Sequence, residues 1–316
     1  MSDIKVLVAD DLSNAAVEIM TKAGLSVDVN TGLAPAQLAE IIGNYQGLAV
    51  RSATKVTADI LAKATNLKIV GRAGVGVDNI DVKAATEKKV QVINTPSGNA
   101  IAAGELAIAF MFALARKIPQ ATASMKKGEW EKKKFSGVEI TGKTLGVLGF
   151  GNIGRQVAER AVGLKMKVLA YDPMISAGSS PPAGIEYAKF DDVLAKADFV
   201  TLHLPLTAET KNLFGKETLG KMKKGAYLIN CARGGVVDEA ALYENLKAGH
   251  LGGAALDVFE KEPTPPLALF ELENVLLSPH IGASTKEAQS KVAVELAEVF
   301  VDFFKNGKTR NGVNKI

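Results

Sequence analysis

Three segments carry side chains that could move a proton or hold an anion. His280 stands in Ser278-Pro279-His280-Ile281-Gly282-Ala283-Ser284-Thr285, a loop between an apolar run and a helical one. Glu262 stands in Phe259-Glu260-Lys261-Glu262-Pro263, and Arg233 in Asn230-Cys231-Ala232-Arg233-Gly234-Gly235, each just past an apolar run. Oxidising a secondary alcohol by hydride transfer needs a base for the hydroxyl proton near neutral pH, and the same group is the acid in reverse. An imidazole suits that task. Because a helix N-terminus disfavours imidazolium, a nearby carboxylate is needed at His280, and Glu262 could supply it. A guanidinium at Arg233 could hold a substrate carboxylate bidentately. Each also has a plain reading: Arg233 could pair with Asp238 or a helix end, and Glu262 could be an exposed loop carboxylate. Of the other two histidines, His203, between Leu202 and Leu204, reads as a packing residue. His250, after Lys247-Ala248-Gly249, reads as a surface or cap residue. Cys231, the single cysteine, reads as a small buried residue rather than a nucleophile.

A second kind of chemistry is written in Val147-Leu148-Gly149-Phe150-Gly151-Asn152-Ile153-Gly154. Here Gly149, Gly151 and Gly154 form Gly-x-Gly-x-x-Gly after an apolar strand and before an amphipathic helix, and a further strand ends on Tyr171-Asp172. The glycines allow a tight turn, close approach of backbone to a pyrophosphate, and close packing of helix on strand. The helix N-terminus offers N–H groups and positive dipole to the phosphates. Asp172 is placed to bond the adenosine ribose hydroxyls and repel a 2′-phosphate, so NAD is expected rather than NADP.

These residues need a scaffold, and the strands read as two series. The first is Ile4–Ala9, Ser26–Val29, Gly47–Val50, Leu67–Val70 and Val90–Ile93. The second is Thr144–Leu148, Lys167–Tyr171, Phe199–Leu204, Ala226–Asn230, Gly252–Leu256 and Val275–Leu277, with helices between in both series. Such alternation predicts an α/β protein of two open parallel-sheet domains. Asn99 to Arg116 reads as one helix apolar nearly all round, to be buried between the halves or against another subunit. With the arm Pro119 to Val138, which holds the only tryptophan, it is expected to form a homodimer or homotetramer interface. The last helix is expected to start at Ser284, with Glu287 completing a capping box, and to return to the N-terminal half. The expected domains are residues 1–98 with 285–316 for substrate, and 99–284 for NAD.

Bulk properties exclude several classes. With 47% apolar and 23% charged residues and a net charge of +4, the chain reads as an ordinary globular protein with no membrane span and no nucleic-acid partner. The run Lys126-Lys127 and Lys132-Lys133-Lys134 is broken by Glu129 and Glu131 and reads as a solvated face. No metal site is expected. One cysteine and an N-terminus without a basic region point to the cytoplasm. In the first half, Gly71-Arg72-Ala73-Gly74-Val75-Gly76-Val77-Asp78 is a glycine-dense turn whose amides could form an anion-binding nest, and Arg51-Ser52 lies at the end of another strand of that half.

Taken together, the chain resembles the D-2-hydroxyacid dehydrogenases. The resemblance rests on Val50 to Thr57, Gly71 to Asp81 with Asn94-Thr95-Pro96, Asn230 to Glu239, and Pro279 to Thr285, and it runs over essentially the whole chain. It implies a Rossmann NAD-binding domain inserted into a flavodoxin-like substrate domain, with Arg233, Glu262 and His280 as the catalytic set. It further implies cofactor contacts at Val75, Asn152, Ile153, Asp172, Leu204, Cys231, Ala232, Arg233, Asp257, His280, Gly282 and Ala283. Relatives often carry threonine where Val75 and Leu204 stand, so only backbone or apolar contact is expected there. The implied substrate is a phosphorylated 2-hydroxy acid, held by Arg51, Ser52, Gly74, Val75, Gly76, Arg233 and His280. The expected reaction is oxidation of 3-phosphoglycerate to 3-phosphohydroxypyruvate, the first step of serine biosynthesis. Reduction of glyoxylate, hydroxypyruvate or another 2-keto acid is the alternative, and an NAD-sensing, corepressor-like binding protein is a reading of another class. Many members continue into C-terminal domains that bind serine; this chain stops at the catalytic core, so control through such a domain is not expected.

Overall fold

The computed structural model describes residues 4–176, 178–263 and 268–316, and the chain divides into two compact units. One comprises Met1–Ala100 and Ala283–Ile316, the other Ile101–Gly282. Every strand pairing in both is parallel.

The first unit holds β1 (Lys5–Val8), β2 (Ser26–Val29), β3 (Gly47–Val50), β4 (Ile69–Arg72) and β5 (Gln91–Ile93), in the order β2-β1-β3-β4-β5 of a flavodoxin-like sheet. Period-two alternation splits each strand between two cores. Leu7, Leu48, Val70 and Val92 face one side, against Leu38, Ile60 and Leu61. Val6, Val8, Ala49 and Ile69 face the other, against Ala16 and Met20 and the final helix, Lys286–Asn306, through Val292, Leu296 and Phe300. That helix starts one residue later than expected. Thr285, with extended backbone, is the N-cap, and its hydroxyl accepts from the Ala288 amide at 3.1 Å. The third helical position is therefore Ala288, so Ser284 and Glu287 form no capping box; Glu287 lies in the first turn, where its charge suits the dipole.

The second unit holds β6 (Thr144–Leu148), β7 (Lys167–Tyr171), β8 (Ile185–Tyr187), β9 (Phe199–Leu202), β10 (Tyr227–Asn230), β11 (Gly253–Leu256) and β12 (Val275–Leu277). Their order is β12-β11-β10-β9-β6-β7-β8, a doubly wound Rossmann sheet. The short edge strand β8, half-buried and without an apolar run, was not expected from the sequence. The Ala100–Arg116 helix buries Ala107, Met111, Leu114 and Ala115 in this unit's core, while Ile101 is 43% exposed. Beyond it, Ile118, Met125 and Trp130 stand in solvent, Trp130 at 81%. Among the described residues no helix is long and apolar enough to cross a membrane.

The edge of the first sheet is fastened by the chain's last residues. The Asn314 carboxamide oxygen accepts from the Val92 amide at 2.7 Å and from the buried Gln91 side chain at 2.9 Å. Its nitrogen donates to the Val90 carbonyl at 3.0 Å and the Thr86 hydroxyl at 2.9 Å. Asn314→Ala leaves several of these groups without partners, so it is expected to cost about 1–3 kcal/mol, read as a lowered urea midpoint of unfolding. An unchanged midpoint contradicts the fastening role.

Candidate functional site

In an open parallel sheet, ligands bind beyond the carboxyl ends of the strands, where the strand order reverses. In the second unit that point lies between β6 and β9. Gly149 leaves β6 with φ 93°, and a Cβ there would lie 2.4 Å from the His203 carbonyl oxygen that ends β9. Only glycine meets both constraints. A Cβ on Gly154 would lie 2.0 Å from the Gly149 carbonyl, so helix and turn are in close contact. Gly151 is different, since nothing stands within 4 Å of where its Cβ would be. That opening lies at the N-terminus of the Asn152–Gly163 helix, where amides and dipole favour a pyrophosphate. Asp172, at the end of β7, accepts from the Phe150 amide at 2.7 Å and the Met174 amide at 2.8 Å. It braces the glycine loop, a function its spacing did not reveal, and a carboxylate with about four acceptor sites keeps capacity for a ribose diol. These residues fit a dinucleotide.

Arg233, Glu262 and His280 follow β10, β11 and β12, three adjacent strands. The fully buried Asn230 shapes the first turn, accepting from the Ala232 amide and donating to the Arg233 carbonyl, both at 3.0 Å. The guanidinium donates to the Ala232 carbonyl at 2.6 Å. Gly234 is pressed against the next turn, where a Cβ would sit 1.7 Å from the Phe259 carbonyl oxygen. Glu262 accepts from the Phe259 amide at 3.0 Å through one oxygen and meets His280 Nδ1 at 2.7 Å through the other. This contact ties Nδ1 to the carboxylate and leaves Nε2 on the other side of the ring, clear of it. The backbone at His280 is left-handed, with φ 53°. What holds it there is Asp257, 1% exposed at the end of β11, whose carboxylate accepts from the Ile281 and Gly282 amides, each at 2.7 Å, and from the Ser278 hydroxyl.

Cys231 is buried, and burial with the Asp257 charge beside it pushes its thiol up, away from nucleophilic use. His203 meets the Thr201 hydroxyl at 3.0 Å, and burial lowers its imidazole to about 3. His250 is half-buried rather than on the surface, and its Nε2 is shielded from water. Leu204 is buried after β9, while Ile153 lies in the first turn of the helix that follows the glycine loop.

Val75, Ala283, Arg51, Ser52, Gly74 and Gly76 belong to the first unit. Arg51 and Ser52 follow β3, and the Arg51 guanidinium donates to the Asp11 carbonyl at 3.3 Å. Asp10, 5% exposed, receives the Arg51 amide at 2.6 Å and the Thr54 hydroxyl at 2.6 Å. Of the amides expected to form an anion nest after β4, that of Gly74 donates within the turn to the Arg72 carbonyl at 2.9 Å, which leaves the expected receptor fewer amides. Among the described residues no cluster of metal-ligating side chains occurs. Asp10 and Asn230 were missed from sequence; the available signal was a polar residue closing an apolar run.

Residues 108–282 match the model of the D-isomer specific 2-hydroxyacid dehydrogenase NAD binding domain. The crystal structure of the TT0316 protein from Thermus thermophilus superposes with a TM-score of 0.88 at 34% identity, covering 98% of this chain and 100% of that one. The chain belongs to the D-2-hydroxyacid dehydrogenase family. Its cofactor is NAD. Within the family it is 51% identical over 312 residues to D-3-phosphoglycerate dehydrogenase of Archaeoglobus fulgidus, covering 98% of this chain and 59% of that protein. It is 49% identical over 309 residues to the Homo sapiens protein of the same name, covering 98% of this chain and 58% of that one. The chain thus spans about three fifths of the length of these curated relatives. A cofactor (NAD+)-bound 3-phosphoglycerate dehydrogenase in Entamoeba histolytica superposes with a TM-score of 0.85 at 30% identity, covering 100% of both chains.

Proposed function

We propose that this dehydrogenase oxidises 3-phosphoglycerate to 3-phosphohydroxypyruvate, the entry into serine synthesis, in the cytoplasm. The observation that carries the reading is the 2.7 Å contact between His280 Nδ1 and Glu262. Bound NAD supplies the hydride acceptor. Gly151, Asn152 and Ile153 would hold its pyrophosphate and Asp172 its adenosine ribose; Leu204, Cys231, Ala232, Asp257, Gly282, Val75 and Ala283 are assigned the remaining contacts. His280 Nε2 takes the substrate's hydroxyl proton, and the Glu262 carboxylate stabilises the imidazolium that results. Arg233 holds the substrate carboxylate by paired, charge-assisted bonds, so the oxidised carbon keeps one orientation. A phosphorylated acid has a second anionic end, which is assigned to Arg51 and Ser52, with the Val75 and Gly76 amides assisting at the carboxylate. The names of the relatives at 51% and 49% identity support this substrate over glyoxylate or hydroxypyruvate. A corepressor-like role would need the glycine loop but no hydrogen-bonded Glu–His pair. We also assign the Ala100–Arg116 helix and the arm bearing the exposed Trp130 to a contact between two copies of the chain.

Kinetics followed by NADH absorbance test the reading. His280→Ala is expected to lower kcat by roughly 10²–10⁴-fold with NAD affinity kept, and a parental rate would overturn the acid–base assignment. Arg51→Ala is expected to raise KM for 3-phosphoglycerate roughly 10- to 100-fold, equivalent to about 1.4–2.8 kcal/mol, with little effect on glyoxylate. Equal losses on both substrates would remove Arg51 from the phosphate.

A further inference from the structure

Glu239 has no part in the chemistry above, yet it is tied to the loop that carries Glu262. It is the first residue of the Glu239–Lys247 helix, after the N-cap Asp238, whose carboxylate accepts from the Ala240 and Ala241 amides, each at 3.0 Å. With the cap satisfied by Asp238, the Glu239 side chain is left to another task. Its Oε1 accepts the Glu260 amide at 2.7 Å. One residue earlier, the Phe259 amide donates to Glu262 at 3.0 Å, and the other oxygen of Glu262 meets His280 at 2.7 Å. Successive amides of one short turn therefore point at two carboxylates. One belongs to the turn itself and the other to a helix outside it.

An acid in the first turn of a helix is normally stabilised in its charged form by the dipole. At Glu239 the opposite holds. Burial raises it above the ordinary glutamate value, the Glu260 amide pulls it back, and the charges of Glu260, Asp238 and Glu262 raise it further. A glutamate kept near three other acids works against its own electrostatics, and its compensation is the bond to the turn.

We propose that Glu239 is a positioning residue for the acid–base pair: by holding the Glu260 amide, it sets the turn from which Glu262 reaches His280. The proposal rests on the assignment of Glu262 and His280 above. Without this acceptor the Glu260 amide loses its partner, and Glu262 loses its fixed distance to the imidazole. Side-chain length matters, because an aspartate at the same position falls one methylene short of the Glu260 amide. Charge does not, because a glutamine keeps the accepting oxygen.

The test uses the whole chain with three substitutions, Glu239→Ala, Glu239→Asp and Glu239→Gln, and two measurements. Glu239→Ala and Glu239→Asp are expected to lower kcat by roughly 10- to 100-fold with KM for NAD unchanged, since a misplacement of about 1 Å can cost about 10²-fold. Glu239→Gln is expected to stay within a few fold of the parent. Independently of any substrate, the Nδ1–H resonance of His280 in its bond to Glu262, followed by NMR, is expected to be lost or to move upfield in the alanine and aspartate variants and to keep its parental position in the glutamine variant. The aspartate variant keeps an acid in the first helical turn, so it remains informative if the alanine variant does not fold. Parental kcat and a parental His280 Nδ1–H resonance in Glu239→Asp would overturn the proposal. So would a glutamine variant as impaired as the aspartate one. A parental rate in His280→Ala would instead remove the catalytic assignment, while the Nδ1–H resonance would still report whether Glu239 positions the pair.

Discussion

A carboxylate out of reach of water must be met by donors, and at Asp257 those donors belong to the loop that carries His280. The Ile281 and Gly282 amides, each at 2.7 Å, and the Ser278 hydroxyl converge on it from both sides of that histidine. The loop cannot relax without leaving a buried charge unsatisfied. This is what holds His280 at a φ of 53°, a conformation that costs a non-glycine residue about 1–3 kcal/mol. Hydrogen bonds to a charged group contribute about 1.5–3 kcal/mol each, so three of them outweigh that strain. The left-handed backbone aims the imidazole at Glu262, and the aim is stable because the carboxylate beneath it has no alternative partner in solvent.

The same device recurs at three other strand ends. Asp10 collects the Arg51 amide and the Thr54 hydroxyl after β1 and β3. Asp172 collects the Phe150 and Met174 amides beside the glycine loop. Asn230, neutral but fully buried, does so for the Arg233 turn. Parallel sheets end with every strand pointing the same way, so their exits crowd at one edge with amides that no ladder satisfies. Polar side chains that complete the strands supply the missing acceptors. The residues proposed for binding and catalysis then sit on loops whose backbones are held by the sheet itself.

Much of this was legible in the sequence. Short aliphatic runs alternating with helices announced two parallel sheets, because strands buried on both faces lose the alternation of a half-exposed sheet. Gly149 and Gly154 announced a tight strand-to-helix turn, whose sterics the structure shows directly, while the space beside Gly151 stays open. Other features were hidden for physical reasons. Ile185–Tyr187 is an edge strand of three residues, half-buried at its ends and exposed at Glu186, too short for any period to show. Ser284 and Thr285 are both competent caps, and only the extended backbone at Thr285 decides between them. Asp257 carries no local mark of its bonds to Ser278, Ile281 and Gly282, which are distant in sequence and near only because β11 and β12 pair. Glu239 has the local pattern of any acid in a first helical turn, and only its bond to the Glu260 amide sets it apart.

The clamp at Asp257 is tested most directly by amide hydrogen exchange in the Asp257→Asn protein. Asparagine keeps one accepting oxygen but turns a donor toward the others, so at least one of the Ile281 and Gly282 amides loses its acceptor. Exchange at residues 280–282 is expected to quicken by roughly 10- to 100-fold, matching the about 1–3 kcal/mol cost of an unsatisfied buried donor, while β10 and β11 keep their protection. Unchanged protection at Ile281 and Gly282 would contradict the clamp and leave the left-handed His280 without its support.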